Sequence, residues 1–565
     1  MIPAISMLFS KKIRGLEFLR PLFFLIIILI LFSSGCSGPD SKSDRIIIGI
    51  QADVQTINPM FAFNVIEGHL IDLLFLKPAM EIWNDSLGII EFAPMLAEKW
   101  EWNKDSSSIT LYLRDNIYWS DGKPITVDDI IFSFDIYSDP QVESRFLGLF
   151  NNFNTIDGMQ IDTVETFKVI SPKILTINFK EGALPTLLDI NLEIIPKHIW
   201  SKYSRKEIVQ AQENFEPVTS GPFRLSKWER ESLISLRIDS SSFLYNPKSL
   251  KEILFKVLPD YKSRITQLKT GAIDLMDNVK SEDASGLKAS EELKLVSLRG
   301  RDYDYIGWNH VDPQEFQKSK TIPNKYFSSP HVRKALTYAI NREEILQSLL
   351  GEFGEVCKGP VSPMFKIYFD NTIQADGYNP GKAKEILKEN GWEDKDNNGV
   401  LEKGNKEFRF DLYTNSGNPR RNYMATIVKN NLKAVGIDVN IQILETGTFV
   451  DGLRKRNFDA WIAGWTIPIP IDLNPYWNSN QETGFLNFSS YKNKESDELL
   501  VKLQERLTES ERIMIYKKLQ SIFYNDEPVT FLYWFDNIVA YNKRFTNVKF
   551  SMLGLVKNAW EWRVD

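Results

Sequence analysis

The sequence predicts an α/β protein built on more than one hydrophobic core. Three observations predict it. The chain has 565 residues, more than one core can organise. Hydrophobic residues make up 43% and charged residues 25%, the balance of a folded globular chain rather than a disordered or membrane-embedded one. Across the second half, helical and extended patterns alternate, as in α/β units. The net charge of -6 supplies no basic field for nucleic acid.

The elements follow in order. Lys11, Lys12, Arg14 and Arg20 precede an apolar run over 22–32. That run is about a dozen residues, against the ~20 a helix needs to cross a bilayer. A basic lead, a short apolar stretch and small residues make a secretory signal over 1–35. Residues 45–50, RIIIGI, read as a buried strand. Residues 51–64 form a loop with a turn at Asn58-Pro59. Ile109, Leu111 and Leu113 alternate with polar neighbours as a half-buried strand. Thr126 and Asp129 make a reciprocal cap for the helix after the Ser120–Pro124 turn. Gly221-Pro222 opens a hairpin through Phe223, Leu225, Leu233 and Leu236. Ser329-Pro330 starts a helix with Val332, Ala335, Leu336, Ala339 and Ile340 on one face. Asn341 and Glu344 start the next. Residues 423–435 read as a helix stopped by Gly436, and 437–444 as a strand. Thr508 and Glu511 cap a helix to Tyr524, Pro528 breaks it, and 529–535 is a strand.

Cys36 and Cys357 are the two cysteines, and their pairing stays open. The small residues 33–35 before Cys36 resemble a relaxed bacterial lipobox, with Ser33 where Leu is usual. That resemblance implies cleavage before Cys36 and acylation of it, which holds a protein at a membrane without a span. Plain cleavage or a retained anchor are the alternatives. Residues 36–44 are then a tether, and Cys357 a buried, inert thiol.

Six segments, in order, resemble the extracellular solute-binding proteins of family 5, the oligopeptide, dipeptide and nickel receptors of ABC importers. They are PMLAEKW with ITLYLRDNIYWSDGKPITVDDIIFSFD (94–135), TSGPFRLSKW (219–228), KTGAIDL (269–275), YIGWNH with SSPHVRKALTYAINREEI (305–345), GYNPGKAKEILKENGW (377–392), and NLKAVGIDVNI with FDAWIAGW (431–465). The resemblance implies a two-lobed, type II periplasmic-binding-protein-like fold with an extra subdomain in the first lobe. It places lobe I at 45–305, with the subdomain near 83–214, lobe II at 306–530, and a return to lobe I over 531–565. A solute binds between the lobes, which close over it.

The same resemblance nominates site residues. Trp465, in Ala-Gly-Trp, matches a cleft tryptophan, against the alternative of core packing. The family's amine-binding Asp soon after it falls on Pro468 here; Asp472 is the next carboxylate, with a turn cap as its other reading. Burying an ammonium without a counter-charge is costly, so the departure bears on how a peptide amine would be held. In NSGNPRRNYMA (415–425), Tyr423 stands at the position of an Arg that holds the ligand carboxylate in dipeptide receptors, and Arg420 or Arg421 can substitute. Trp308 and Asn309 stand where the family crosses between lobes, as hinge, ligand or strand-end residues. Asp394, Asp396, Asn398, Gly399 and Glu402 imitate a calcium loop, but its twelfth place holds Asn405 where a bidentate Glu is needed, so a polar turn is expected and no metal.

The four histidines, His69, His198, His310 and His331, have no metalloprotease spacing. There is no Gly-x-Ser-x-Gly elbow and no Gly-Lys-Ser/Thr phosphate loop. The sequence therefore predicts a monomeric, lipid-anchored binding protein without cofactor or catalytic residues. Its solute is an oligopeptide in the first place, with a sugar or, given scarce histidine, a nickel complex as alternatives. Its partners are an ABC permease and that importer's separate ATPase subunits. An exported hydrolase is the competing class.

Overall fold

A computed structural model describes residues 44–564. The predicted leader and Cys36 lie outside the described residues. One sheet of eleven strands runs through both lobes. Its order is Phe223–Glu229, Leu233–Ile238, Glu252–Val257, Arg45–Ile50, Leu275–Met276, Val529–Asn542, Leu293–Trp308, Ala460–Thr466, Arg409–Asn415 and Asp438–Leu444, with Gly354–Val356 added beside Val529–Asn542.

Two long strands carry the chain between lobes: the ascending strand Leu293–Trp308 and the returning strand Val529–Asn542. Near its start the ascending strand packs Val296 and Leu298 on the first lobe's core, and further on it buries Ile306 and Trp308 in the second. Pairing between the two strands is interrupted between Leu298 and Asp302. The crossings therefore fall at 299–301 and at Asp536, a few residues from the 305/306 and 530/531 positions taken from the sequence. The strand expected over 529–535 is twice as long. The polar pair Asp536-Asn537 resembles a turn, yet it is the crossing itself.

Local signals are realised where they were short-range. Strand Arg45–Ile50 buries Ile46, Ile48 and Ile50. Asp129 accepts from the Thr126 amide at the start of helix Val127–Ser138. That helix buries Phe134 against Phe150, Phe153 and Phe167. A separate four-stranded sheet, Ala97–Trp102, Ser108–Leu113, Ile174–Asn178 and Phe167–Ser171, forms the extra subdomain and shares the first lobe's core.

Charged side chains tie the first lobe together. Glu81 pairs with Lys77 at 3.1 Å and Lys557 at 2.9 Å, and Glu193 with Lys77 at 3.5 Å and Arg145 at 3.0 Å. Glu81 belongs to the hairpin Ala79–Asn84/Ile89–Pro94, whose tip touches the second lobe. There the Ile367 amide donates to the Leu87 carbonyl at 3.1 Å, and Trp83 meets Phe365 edge-on at 5.9 Å. Gly88 has φ +71°, and a Cβ on it would lie 2.2 Å from the Met364 carbonyl oxygen.

Candidate functional site

In the second lobe, strands Arg409–Asn415, Asp438–Leu444 and Ala460–Thr466 are parallel. Their carboxyl ends, Asn415, Leu444 and Thr466, share one edge, and the ascending strand enters there with Asp302 opposite Thr466. In the first lobe, Arg45–Ile50 is parallel to Glu252–Val257 and Leu275–Met276. The returning strand pairs Ala540 with Met276, so those carboxyl ends also point toward the crossing. Both lobes thus turn their carboxyl edges to the same crevice, where open α/β sheets bind ligands.

A charged cluster is built on the second lobe's edge. Asn418 caps helix Pro419–Lys433 by accepting from the Arg421 amide. The helix begins four residues before the predicted start, which puts both arginines in its first turn. Arg420 Nε and Nη2 lie 3.1 and 3.0 Å from Asp304 Oδ2. Arg421 Nε and Nη2 each lie 3.0 Å from Oδ1, and its Nη1 donates to Asn415 Oδ1 at 3.2 Å. The Tyr533 hydroxyl donates to Oδ2 at 2.9 Å; burial and the neighbouring carboxylate push that phenol well above its usual range, so it stays a donor. Asp304 is 0% exposed. Gly464 lies opposite it in register, and a Cβ there would sit 2.5 Å from both Arg421 Nη2 and Asp304 Oδ1. The Gly of Gly-Trp is therefore the space the cluster occupies. Two guanidiniums on one carboxylate leave an excess positive charge. Arg420 also lies over the Phe535 ring at 4.2 Å, next to the crossing.

Trp465 points to the other side of the sheet. It is half-buried, stacked on Tyr305 at 6.1 Å and against Tyr476 at 5.1 Å and Phe488 at 5.4 Å. Tyr423 is 54% exposed and falls three residues after Arg420, on the same helix face.

Other nominated residues take structural roles. Trp308 is fully buried and donates from Nε1 to Thr530 Oγ1 at 3.0 Å. Asn309 is also fully buried; its amide donates to the carbonyls of Phe458 and Arg456, and its Oδ1 accepts from Val311. Both belong to the second lobe's interior, which corrects their nomination as ligand contacts. Asp472 Oδ1 accepts from the Asn474 amide at 3.0 Å, the bond of a turn cap. Asp394 and Asp396 accept from the amides of Asn398 and Gly399, and no group of three or more metal-ligating side chains occurs among the described residues. Cys357 is buried, with Sγ donating to the Gly359 carbonyl.

Asp304, Asp302, Tyr533 and Thr466 were not read as site residues from the sequence. The signal was present: in DYDYIGW, acids recur at period two in a strand whose other face is aromatic.

Comparison with known proteins decides the family. Residues 91–487 match the bacterial extracellular solute-binding proteins, family 5 (middle).

The chain belongs to that family. Among family 5 relatives, it is 27% identical over 561 residues to the oligopeptide-binding protein AppA of Bacillus subtilis, covering 95% of this chain and 97% of that one. It is 24% identical to the dipeptide-binding protein of Escherichia coli, covering 83% and 84%. The structure of Bacillus subtilis AppA in complex with a nonapeptide superposes with a TM-score of 0.68, at 26% identity, over 92% of this chain and 99% of that one. Campylobacter jejuni NikZ, solved with Ni(L-His), shares the fold with a TM-score of 0.69 at 22% identity, over 92% and 99%. The two-lobed type II fold is thus that of family 5. Among the described residues, no helix is long and apolar enough to cross a membrane.

Proposed function

We propose that this family 5 protein captures an oligopeptide in the crevice between its lobes and delivers it to the permease of an ABC importer. The observation that carries the reading is that both lobes turn the carboxyl ends of their strands to one crevice. Arg420, Arg421, Tyr423 and Trp465 are its second-lobe contacts. The arginines supply charge-assisted donors for peptide carbonyls or a terminal carboxylate, and Trp465 supplies an aromatic wall. The peptide-binding relatives support this solute class. The protein acts as a monomer and releases its solute unchanged. Residues 1–35 are removed on export, and acylated Cys36 holds the mature chain to the envelope through the tether 36–44.

A thermal-shift screen of the mature protein against peptides, sugars and nickel–histidine tests the solute. A ligand at a hundred times its Kd stabilises by about 2.7 kcal/mol. Peptides raise the midpoint and are recovered intact. A shift confined to sugars or nickel–histidine, or consumption of the peptide, refutes the reading. The intact mass of the mature chain tests the anchor: it corresponds to residue 36 onward plus lipid.

A further inference from the structure

Asp302 is the first second-lobe residue of the ascending strand, at the crevice edge and half-buried. Its carboxylate accepts from the Thr466 hydroxyl, and among the described residues no cation pairs with it. It shares a strand face with Asp304, about 7 Å along the backbone. It lies directly opposite Phe535, the ring on which Arg420 rests. Just before it the ladder to the returning strand is broken, and a Cβ on Gly300 would meet the Phe535 carbonyl oxygen at 1.8 Å. Such bulges re-aim side chains near binding sites.

The other acids on this edge are committed. Asp304 is held by two arginines and Tyr533. Asp472 caps a turn, and Glu445 caps its own helix by accepting from the Thr448 amide. Asp536 takes the Ser297 hydroxyl at 2.7 Å and the Gly300 amide at 3.4 Å. The segment TIPIPI after Trp465 contains no carboxylate. Among the described residues, the Asp302 carboxylate has a single hydroxyl as its partner and no cation. Arg420, 29% exposed at its side chain, is held from it by Asp304.

We propose that Asp302, oriented by Thr466, is the acceptor for a primary ammonium group of the solute, with Arg420 facing the carbonyl beside that amine. This rests on the peptide-binding reading and narrows it to solutes with a free amino end. A closed crevice does not hold an ammonium without a counter-charge, and the Asp302 carboxylate supplies it.

The test uses the full mature chain, an equimolar random tetrapeptide library and the same library N-acetylated, with retained peptide measured by mass spectrometry and affinities by calorimetry. The wild type binds free-amine peptides at least about thirtyfold more tightly than acetylated ones, the scale expected when a buried charged contact loses one partner. D302N lowers free-amine affinity to the acetylated level and leaves acetylated peptides unchanged, while E445Q, at the acid that caps its own helix, leaves both unchanged. Equal wild-type affinity for the two libraries overturns the assignment without any substitution, as does a free-amine preference that survives D302N or is lost in E445Q. Retention of neither library by the wild type refutes the peptide reading itself, a distinct outcome.

Discussion

Replacing Asp304 by Asn keeps the shape of the side chain and removes the charge that two arginines share. Asp304 is 0% exposed, and the arginine side chains are 29% and 18% exposed. Removing one partner of a buried ion pair costs about 3–5 kcal/mol, because the remaining charge stays desolvated. Asn retains one carbonyl oxygen, and the arginines keep some contact with water, so the lower end applies, about 3 kcal/mol. For a lobe of this size that is a fall of about 6–12 °C in Tm. Urea denaturation followed by far-UV circular dichroism measures it. Arg420→Met is the matched comparison. It leaves one guanidinium on one carboxylate and costs less than D304N. If D304N lies within about 1 kcal/mol of wild type, or if R420M is the more damaging change, the picture of one buried anion anchoring two cations is wrong.

Trp465→Ala weakens peptide binding at least about tenfold while the ligand-free denaturation midpoint stays within a few degrees; equal affinity in calorimetry removes Trp465 from the site. Burial raises the Glu81 carboxyl, but Lys77 and Lys557 outweigh it and hold it at about 2. Its folded pKa is therefore depressed, so its contribution, about 3 kcal/mol, is fully present above the ordinary carboxylate range near pH 4.5 and is lost as pH falls toward 2. Glu81→Gln flattens that part of the stability–pH curve, and an unchanged acid limb contradicts the pairing. Gly88→Val puts a branched side chain at φ +71° against the Met364 carbonyl, at a cost of about 2–4 kcal/mol. Hydrogen exchange at the Ile367 amide, bonded to Leu87, then accelerates; unchanged protection means the hairpin tip does not hold the second lobe.

Much of the fold was legible because its signals are local. The caps at Thr126/Asp129, Asn341/Glu344 and Thr508/Glu511 each bond a side chain to the backbone of a residue three positions away, and all form. The ascending strand was not visible. Residues 293–302, LKLVSLRGRD, alternate through arginines and a glycine, and what makes them one strand with 303–308 is pairing with residues more than two hundred positions away. The helix at Pro419 was read late because Arg420, Arg421 and Asn422 carry no apolar period. Motif nominates Trp465 and the arginines as site residues, whereas no motif singles out Asp304. Its role exists only once Gly464, Tyr533 and helix Pro419–Lys433 converge on it.

That convergence bears on how the lobes can move. Asp304 bonds the ascending strand to the helix start and the returning strand, and packs against Gly464 on a third strand. A change at one of these elements is felt by all, so the second-lobe edge behaves as a unit. The crossing is built in the opposite way. Residues 299–301 have no ladder partner on the returning strand; opposite them the Asp536 carboxylate takes a hydroxyl and one long amide bond, while its amide donates to the Phe353 carbonyl at 3.0 Å. Domain closure concentrates its backbone change in a few such residues. A solute bridging Asp302 and the first lobe pulls on the chain beside the unpaired segment, whereas one held by Arg420 alone pulls on a helix anchored to Asp304. On the proposed contacts the two attachments differ in leverage: attachment at Asp302 couples to closure, and attachment at Arg420 to affinity within the anchored edge.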